Sequence, residues 1–166
     1  CFWCLEPPYV NQEGVLSVYP GYIGGHTDQP TYEEVISGKT GHVEAVQVTF
    51  DPKVISYNVL LDIFWRQIDP TDPNGQFADQ GSQYITAIFY NDDSQKELAT
   101  SSKEDIISKN IFNKPIVTKI LPASKFFIAE DYHQQYYKKN PDHYKRYRFF
   151  SGRESFLKKT WQDLNE

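Results

Sequence analysis

The chain has 166 residues, 39% of them hydrophobic and 16% aromatic, and it carries a formal net charge of −5. This length and composition predict one folded domain, residues 1–166, and exclude an intrinsically disordered protein. The negative charge argues against nucleic-acid binding by the whole chain, and no apolar run is long enough to cross a membrane. There is no signal peptide and no initiator Met, so we expect a mature product, a domain, or a numbering that omits the natural start.

Both cysteines lie in the first six residues, Cys1-Phe2-Trp3-Cys4-Leu5-Glu6. Their spacing puts both sulfurs on one side of a helical turn, which suits a reactive thiolate and a partner that traps it as a disulfide. The two aromatics suit an apolar pocket beside the sulfur. A pair of buried structural cysteines is the alternative. Because all the cysteine is in one C-x-x-C, we favour catalytic thiols in a reducing, cytoplasmic compartment.

The residues that follow predict a short helix, a strand, a glycine-rich turn and the start of a second helix. The first helix is expected to stop at Pro7-Pro8 or to carry them in its first turn. A strand is predicted from Val15 to Tyr19, ended by Pro20-Gly21, and the glycine-rich turn of residues 21–25 lacks a dinucleotide-binding spacing. Thr31 and Glu34 form a capping box that opens a short helix.

Residues 42–50 alternate as a strand, and Glu44 lies on its more apolar face with Val46, Val48 and Phe50. A carboxyl group on such a face is either paired or has a raised pKa. A carboxyl that is protonated at neutral pH is a general acid. The alternative is a glutamate at the exposed end of the strand.

The rest of the chain mixes helices and strands without regular alternation. We predict an α+β fold in which helices cover one side of a sheet. The predicted elements are a helix at 56–68, a polar loop at 71–82 that contains Asp79, a strand at 83–90, a helix at 94–109 opened by Ser94, a strand at 116–121, a helix at 129–139 and a closing helix opened by Ser151 and Glu154.

Other functions compete for these residues. Zinc is disfavoured because His133 and His143 are ten residues apart rather than three to five. A cysteine hydrolase needs a histidine base, which His42 or His133 could supply, but it gives Cys4 no purpose. The basic stretch from Lys138 to Lys159 suggests nucleic acid, but the net charge favours a solvated surface with its aromatics turned inward.

A thiol redox enzyme uses the residues better. Thiolate attack on an oxidised group needs a nucleophile, an acid for the departing oxygen, and a second thiol that clears the sulfenic acid. Cys1, Glu44 and Cys4 are available for these three tasks.

Six motifs resemble those of the peptide methionine sulfoxide reductases of type A. They are, in chain order, Cys1-Phe2-Trp3, Gly21-Tyr22-Ile23-Gly24-Gly25, Pro30-Thr31-Tyr32-Glu33-Glu34-Val35, Gly41-His42-Val43-Glu44-Ala45, Asp79-Gln80-Gly81-Ser82-Gln83-Tyr84 and Ala129-Glu130-Asp131-Tyr132-His133-Gln134-Gln135-Tyr136. The resemblance implies reduction of the S-epimer of methionine sulfoxide, free or in proteins. It implies no bound cofactor or metal, with thioredoxin or another dithiol as reductant. It also implies an α+β two-layer sandwich with a ferredoxin-like βαβ core and helices over one face of a mixed sheet.

The resemblance also implies roles for single residues. Cys1 would be the nucleophile and Glu44 the acid, helped by the hydroxyl donors Tyr32 and Tyr84. The S-methyl group would lie against Phe2 and Trp3, and the substrate backbone would be bound, or the pocket closed, by Asp79 and Tyr136.

The chain departs from the family pattern in its tail. Many members keep a resolving cysteine in a glycine-rich tail, whereas residues 142–166 have none and read as charged and helical. This moves the resolving role to Cys4 and leaves open a fusion with a type B reductase. The alternative function is a C-x-x-C thiol–disulfide oxidoreductase that ignores sulfoxides.

Overall fold

A computed structural model describes residues 1–162, which form short helices around three small sheets. The helices are α1 Phe2–Val10, α2 Tyr32–Ile36, α3 Tyr57–Trp65, α4 Asp93–Ser108, α5 Tyr136–Lys139, α6 Pro141–Phe150 and α7 Arg153–Gln162. The strands are β1 Val15–Ile23, β2 Val43–Phe50, β3 Gly75–Gln76, β4 Asp79–Gln80, β5 Ala87–Tyr90, β6 Lys119–Pro122 and β7 Phe127–Ile128. This mixture confirms the predicted α+β class.

The main sheet has the antiparallel order β2-β1-β7, with β1 in the centre. The prediction that β1 ends at Pro20-Gly21 was wrong, because the strand continues to Ile23. Pro20 lacks an N–H, but its carbonyl accepts the N–H of Ala129 at 2.9 Å. Gly21 leaves room for the neighbouring strand, since a Cβ there would lie 2.4 Å from the carbonyl oxygen of Phe127. Both residues therefore suit a central strand.

A separate two-stranded sheet belongs to a βαβ unit, in which α4 connects the parallel strands β5 and β6. Its helix begins at Asp93, and the N-cap is Asp92, two residues before the predicted cap Ser94. The reason is that the Asp92 carboxylate accepts the N–H of Gln95 at 2.8 Å. The strand predicted at 83–90 is shorter, since residues 82–84 form a 3-10 turn. The main core cluster joins α3, α4, β5 and α7, and its buried members are Leu61, Trp65, Ile68, Ile88, Ala99, Ile106, Leu157 and Trp161.

Helix α1 packs against β1 and β2 and runs through Pro7 and Pro8 instead of stopping there. Neither proline has an N–H, so the carbonyls of Trp3 and Cys4, four residues earlier, receive no helical hydrogen bond from them. The first turn of α1 therefore lacks two of the bonds that would tie it to the second.

The single helix predicted at 129–139 is divided into separate pieces. Residues 131–133 form a 3-10 turn, and Gln135 adopts a left-handed conformation (φ 53°) before α5 begins at Tyr136. The tail continues as α6 and α7, and the prediction of a helical tail agrees with these two elements. The part of that prediction that concerns residues 163–166 lies outside the described residues. No helix within residues 1–162 is long and apolar enough to cross a membrane.

Candidate active site

The two cysteines occupy the start of α1 as free thiols. Cys1 is the N-cap, with its side chain 8% exposed, and Cys4 is completely buried. The N–H of Cys4 donates to the carbonyl of Cys1 at 3.2 Å, so the two residues share one turn. The structure thus places the two cysteines in one helical turn, as the C-x-x-C spacing predicts.

Glu44 lies in β2, next to Cys1. Its side chain is 3% exposed, and its Oε2 accepts the backbone N–H of Phe2 at 3.1 Å and lies 4.0 Å from the backbone nitrogen of Cys1. Burial raises the pKa of Glu44 to about 7, although the hydrogen bond from Phe2 works in the opposite direction. A carboxyl group with this pKa holds a proton at neutral pH in a large fraction of molecules, which is what a general acid requires.

Two tyrosine hydroxyls belong to the same cluster as Glu44. Tyr32 is the first residue of α2, whose N-terminus is fixed by the predicted capping box of Thr31 and Glu34. Tyr84 ends the 3-10 turn after β4. Burial, followed by the charge of Glu44, raises the pKa of both tyrosines, so both hydroxyls stay protonated and can donate hydrogen bonds.

The two aromatics of the first motif differ in their surroundings. Phe2 is 1% exposed and packs on the rings of Tyr22 and His133. Trp3 is half-buried, and its indole N–H donates to Nδ1 of His133 at 3.1 Å. The ring of Tyr136 stacks on Trp3 with the centroids 3.9 Å apart and the planes 7° from parallel. The proposed contact of Phe2 and Trp3 with the S-methyl group of the substrate stays a prediction.

Asp79 and Tyr136 reach the site from distant parts of the chain. Asp79 begins β4, and its Oδ2 accepts a hydrogen bond from the hydroxyl of Tyr147 in α6. The ring of Tyr147 meets Trp3 edge-on, with centroids 5.8 Å apart. Because the Asp79 charge contributes to the raised pKa of Glu44, the carboxylate lies near the acid. Tyr147 was not predicted as a site residue.

Two further carboxylates, Glu130 and Glu6, hold the elements around the site together through hydrogen bonds. Glu130 accepts the hydroxyl of Tyr22 and the backbone N–H of Tyr32, each at 3.0 Å, and so fixes the start of α2. Glu6 is 1% exposed and accepts the N–H of Gln135 at 2.9 Å. That bond ties α1 to the left-handed residue before Tyr136. The partners lie far apart in sequence, which explains why residue patterns did not reveal them.

A cavity of about 230 Å³ adjoins the thiol, and its lining includes Cys1, Glu44, Tyr84 and Arg153. Arg153, at the start of α7, is 1% exposed and makes no salt bridge with a carboxylate among the described residues. Its guanidinium lies 4.5 Å from the ring centroid of Phe77 and donates to the carbonyl of Gln67 at 2.5 Å. This buried cation was hidden in sequence by the basic tail around it.

The two candidate bases, His42 and His133, each engage at least one ring nitrogen with a residue other than Cys1. His42 uses both ring nitrogens on the glycine-rich turn, accepting the N–H of Gly25 at 3.0 Å and lying 2.7 Å from the carbonyl of Thr27. His133 accepts from Trp3, and burial lowers its pKa, which keeps the ring neutral. Within residues 1–162 no three His, Cys, Asp or Glu side chains are grouped to hold a metal ion.

The basic tail differs in part from its expected form. Tyr144 and Tyr147 are half-buried, as a solvated surface with inward aromatics requires, but Phe149 and Phe150 are 65% and 79% exposed. The expectation that all its aromatics turn inward was therefore wrong for this pair, which lies at the end of α6.

Comparison with known proteins identifies the same family over nearly the whole chain. The family model described as peptide methionine sulfoxide reductase matches residues 1–165. The chain is 58% identical to the peptide methionine sulfoxide reductase MsrA of Bacillus subtilis over 161 residues, which cover 97% of this chain and 91% of that protein. A relative from Staphylococcus aureus (strain Mu50), MsrA 2, is 51% identical over 165 residues, or 99% of this chain and 93% of the relative.

Solved structures agree with this match. The reduced form of Mxr1 from Saccharomyces cerevisiae has a TM-score of 0.80 and 34% identity, and the match covers 86% of this chain and 82% of that one. Mxr1 in complex with Trx2 has a TM-score of 0.54 and 26% identity, covering 81% of this chain and 77% of that one.

Proposed function

The chain belongs to the peptide methionine sulfoxide reductase family and reduces methionine sulfoxide, and we propose that it acts on the S-epimer through Cys1, Glu44 and Cys4. The observation that carries the assignment of residues is the buried carboxyl of Glu44, with a pKa raised to about 7, beside the N-cap cysteine. An acid at this position can protonate the oxygen of a sulfoxide whose sulfur lies next to Cys1.

In the first step, the Cys1 thiolate attacks the sulfoxide sulfur while Glu44 delivers a proton to the oxygen. The oxygen then passes from the substrate sulfur to the Cys1 sulfur, as the substrate sulfur–oxygen bond and the newly formed sulfur–sulfur bond both break. Methionine is released, and Cys1 is left as a sulfenic acid that carries the proton from Glu44. The hydroxyls of Tyr32 and Tyr84 donate hydrogen bonds to the oxygen as negative charge develops on it. This role requires protonated tyrosines, and their raised pKa values meet the requirement.

Substrate binding is assigned to the residues around Trp3. The S-methyl group lies against Phe2 and Trp3, and Asp79 accepts a hydrogen bond from the substrate backbone. Tyr136, stacked on Trp3, closes this side of the pocket. The assignment is supported by the contact network that connects Trp3, Tyr136, Tyr147 and Asp79.

In the second step, the Cys4 thiol condenses with the sulfenic acid, releasing water and forming a Cys1–Cys4 disulfide. Thioredoxin, or another dithiol, then reduces this disulfide, as the complex of Mxr1 with Trx2 suggests. No cofactor has to be bound, because the electrons come from this external dithiol. A reducing compartment such as the cytoplasm suits a pair of free thiols.

Epimer-resolved turnover tests the proposed function. With dithiothreitol or thioredoxin and its reductase, we expect the purified protein to consume S-sulfoxide from a racemic N-acetyl methionine sulfoxide amide and leave the R-epimer. Chiral chromatography measures both epimers. Reduction of a disulfide substrate such as insulin without any sulfoxide loss would instead assign the C-x-x-C thiol–disulfide oxidoreductase.

A further inference from the structure

The hydroxyl of Tyr147 donates a hydrogen bond to one oxygen, Oδ2, of the Asp79 carboxylate. Sixty-eight positions separate the two residues, and the bond joins α6 to β4. Burial, followed by the hydrogen bond to Asp79, raises the pKa of Tyr147, so the tyrosine is protonated and acts as the donor. The second oxygen, Oδ1, accepts no hydrogen bond from the part of the chain that the structure describes.

The charge of Asp79 acts on the reactive cluster of Glu44, Tyr32 and Tyr84. Its charge contributes to raising the pKa values of Glu44, Tyr32 and Tyr84, although burial is the larger cause for each. On its other side, Tyr147 meets Trp3 edge-on at 5.8 Å and 83°. Tyr147 therefore contacts two parts of the pocket: its hydroxyl holds the Asp79 carboxylate, and its ring packs against Trp3.

We propose that Tyr147 is a specificity-determining residue, which directs one oxygen of Asp79 to the main-chain N–H of a peptide-bound methionine sulfoxide. The inference rests on the proposed function. A neutral amide N–H has one proton to donate, and one oriented oxygen satisfies it. The ammonium group of free methionine sulfoxide has three N–H donors and a positive charge, and it gains most from a carboxylate whose two oxygens are both available.

The phenolic bond works against the free amino acid in two ways. It occupies an acceptor position on one of the two oxygens, and it disperses part of the negative charge that would attract an ammonium group. Tyr147 is thus a positioning residue that acts through Asp79 and takes no part in the reaction at sulfur. Its loss should change the choice between substrates more than it changes the sulfoxide step.

Tyr147→Phe tests this inference, because it keeps the ring on Trp3 and removes only the hydroxyl. The ratio of kcat/KM for an N-acetyl methionine S-sulfoxide amide to kcat/KM for free methionine S-sulfoxide is measured. Because hydrogen bonds to charged groups are worth about 1.5–3 kcal/mol, we expect the ratio to fall by about tenfold or more. The change should lie mainly in KM.

Tyr137→Phe is the matched control. Tyr137 is half-buried in the same tail, and its hydroxyl has no hydrogen-bond partner among the described residues. This variant should keep the wild-type ratio. A double-mutant cycle with Asp79→Asn shows whether Tyr147 acts through the carboxylate, since Tyr147→Phe should then leave the ratio of Asp79→Asn nearly unchanged.

The outcomes separate this inference from the proposed function. A wild-type protein without sulfoxide turnover refutes the proposed function, whatever the variants do. An active wild type with an unchanged ratio in Tyr147→Phe overturns the inference. Equal losses for both substrates, accompanied by a lower melting temperature, also overturn it, because they mean that the bond only stabilises the fold.

Discussion

The two sides of the site are held by different kinds of structure. The strand side, which we define as Cys1, Tyr32 and Glu44, rests on β1 and β2, and these pair from Val15–Phe50 to Ile23–Val43. The tail side, which we define as residues 129–153, has no strand and consists of short helical pieces. Side-chain bonds hold it in place, including those from Gln135 to Glu6 and from Tyr147 to Asp79.

This difference separates reaction from recognition. A carboxyl group on a hydrogen-bonded sheet is held rigidly, which suits an acid that must meet the oxygen at one position. Recognition of a flexible peptide tolerates small movements, and single side-chain contacts can be exchanged without loss of the fold. We therefore expect changes on the strand side to affect the chemistry and changes on the tail side to affect substrate choice.

The largest effect is expected for Cys4→Ser, which should keep the first turnover and lose the later ones. Cys4→Ser should reduce sulfoxide once at the wild-type rate and then stop with thioredoxin as reductant, because no other thiol in the chain can clear the sulfenic acid. Dithiothreitol should restore part of the turnover. Mass spectrometry should find a Cys1–Cys4 disulfide in the wild type and a trappable sulfenic acid in the variant.

This disulfide also requires movement in α1. Residues three apart on a helix have Cβ atoms about 5–6 Å apart, whereas a disulfide needs about 3.5–4.5 Å. The first turn can adapt because Pro7 and Pro8 supply it with no hydrogen bonds. Undiminished thioredoxin-driven turnover in Cys4→Ser would mean that another cysteine outside this sequence resolves the sulfenic acid.

Glu44→Gln should slow the sulfoxide step by about two to four decades, since it keeps the shape and removes the proton. In the wild type, the rate of this step should fall as pH rises through about 7, the pKa to which burial raises Glu44. The variant should lack this pH dependence, and Cys1 should remain open to alkylation. Single-turnover stopped flow measures the rate, with the exposed Glu33→Gln as control. A wild-type rate in Glu44→Gln would refute its role as the acid.

The same difference explains what sequence could and could not predict. Glu44 was predicted because alternation along β2 is a local pattern, and the capping box at Thr31 is another. The role of Asp79 came only from the resemblance. Tyr147 was missed because its partner lies 68 residues away and its neighbours are basic and polar. Local patterns identify the elements of the strand side, whereas long-range side-chain contacts define the tail side.

Trp3 connects the two sides and should show an intermediate effect. Trp3→Ala removes the surface proposed for the S-methyl group and the partner of Tyr136, and apolar contact with a methyl group is worth about 1–3 kcal/mol. We expect kcat/KM to fall by about 5- to 150-fold, with little change in the alkylation rate of Cys1. Trp3→Phe should retain part of the activity. A change in stability alone would assign Trp3 to the core.

The smallest effect on activity is expected for Glu6, the second carboxyl whose pKa burial raises to about 7. The folded state therefore binds its proton more tightly than the unfolded chain does, where the pKa is about 4.5. Between about pH 4.5 and 7 the unfolded state loses this proton first, so the free energy of unfolding falls as pH rises. Glu44 contributes a loss in the same direction.

Glu6→Gln should remove the contribution of Glu6 to this fall in the free energy of unfolding. The side-chain carbonyl of the new glutamine can still accept the N–H of Gln135. Urea unfolding at pH 5 and at pH 8 measures the free energy of unfolding of both proteins. Between these pH values the wild type should lose more of it than the variant, and the difference should be at most about 3 kcal/mol. A larger loss in the variant would mean that the N–H of Gln135, with Lys138 and Lys139 nearby, favours the charged carboxylate more than burial disfavours it. The bond from α1 to the tail side would then weaken at low pH, and the stacking of Tyr136 on Trp3 would depend on the charge of Glu6.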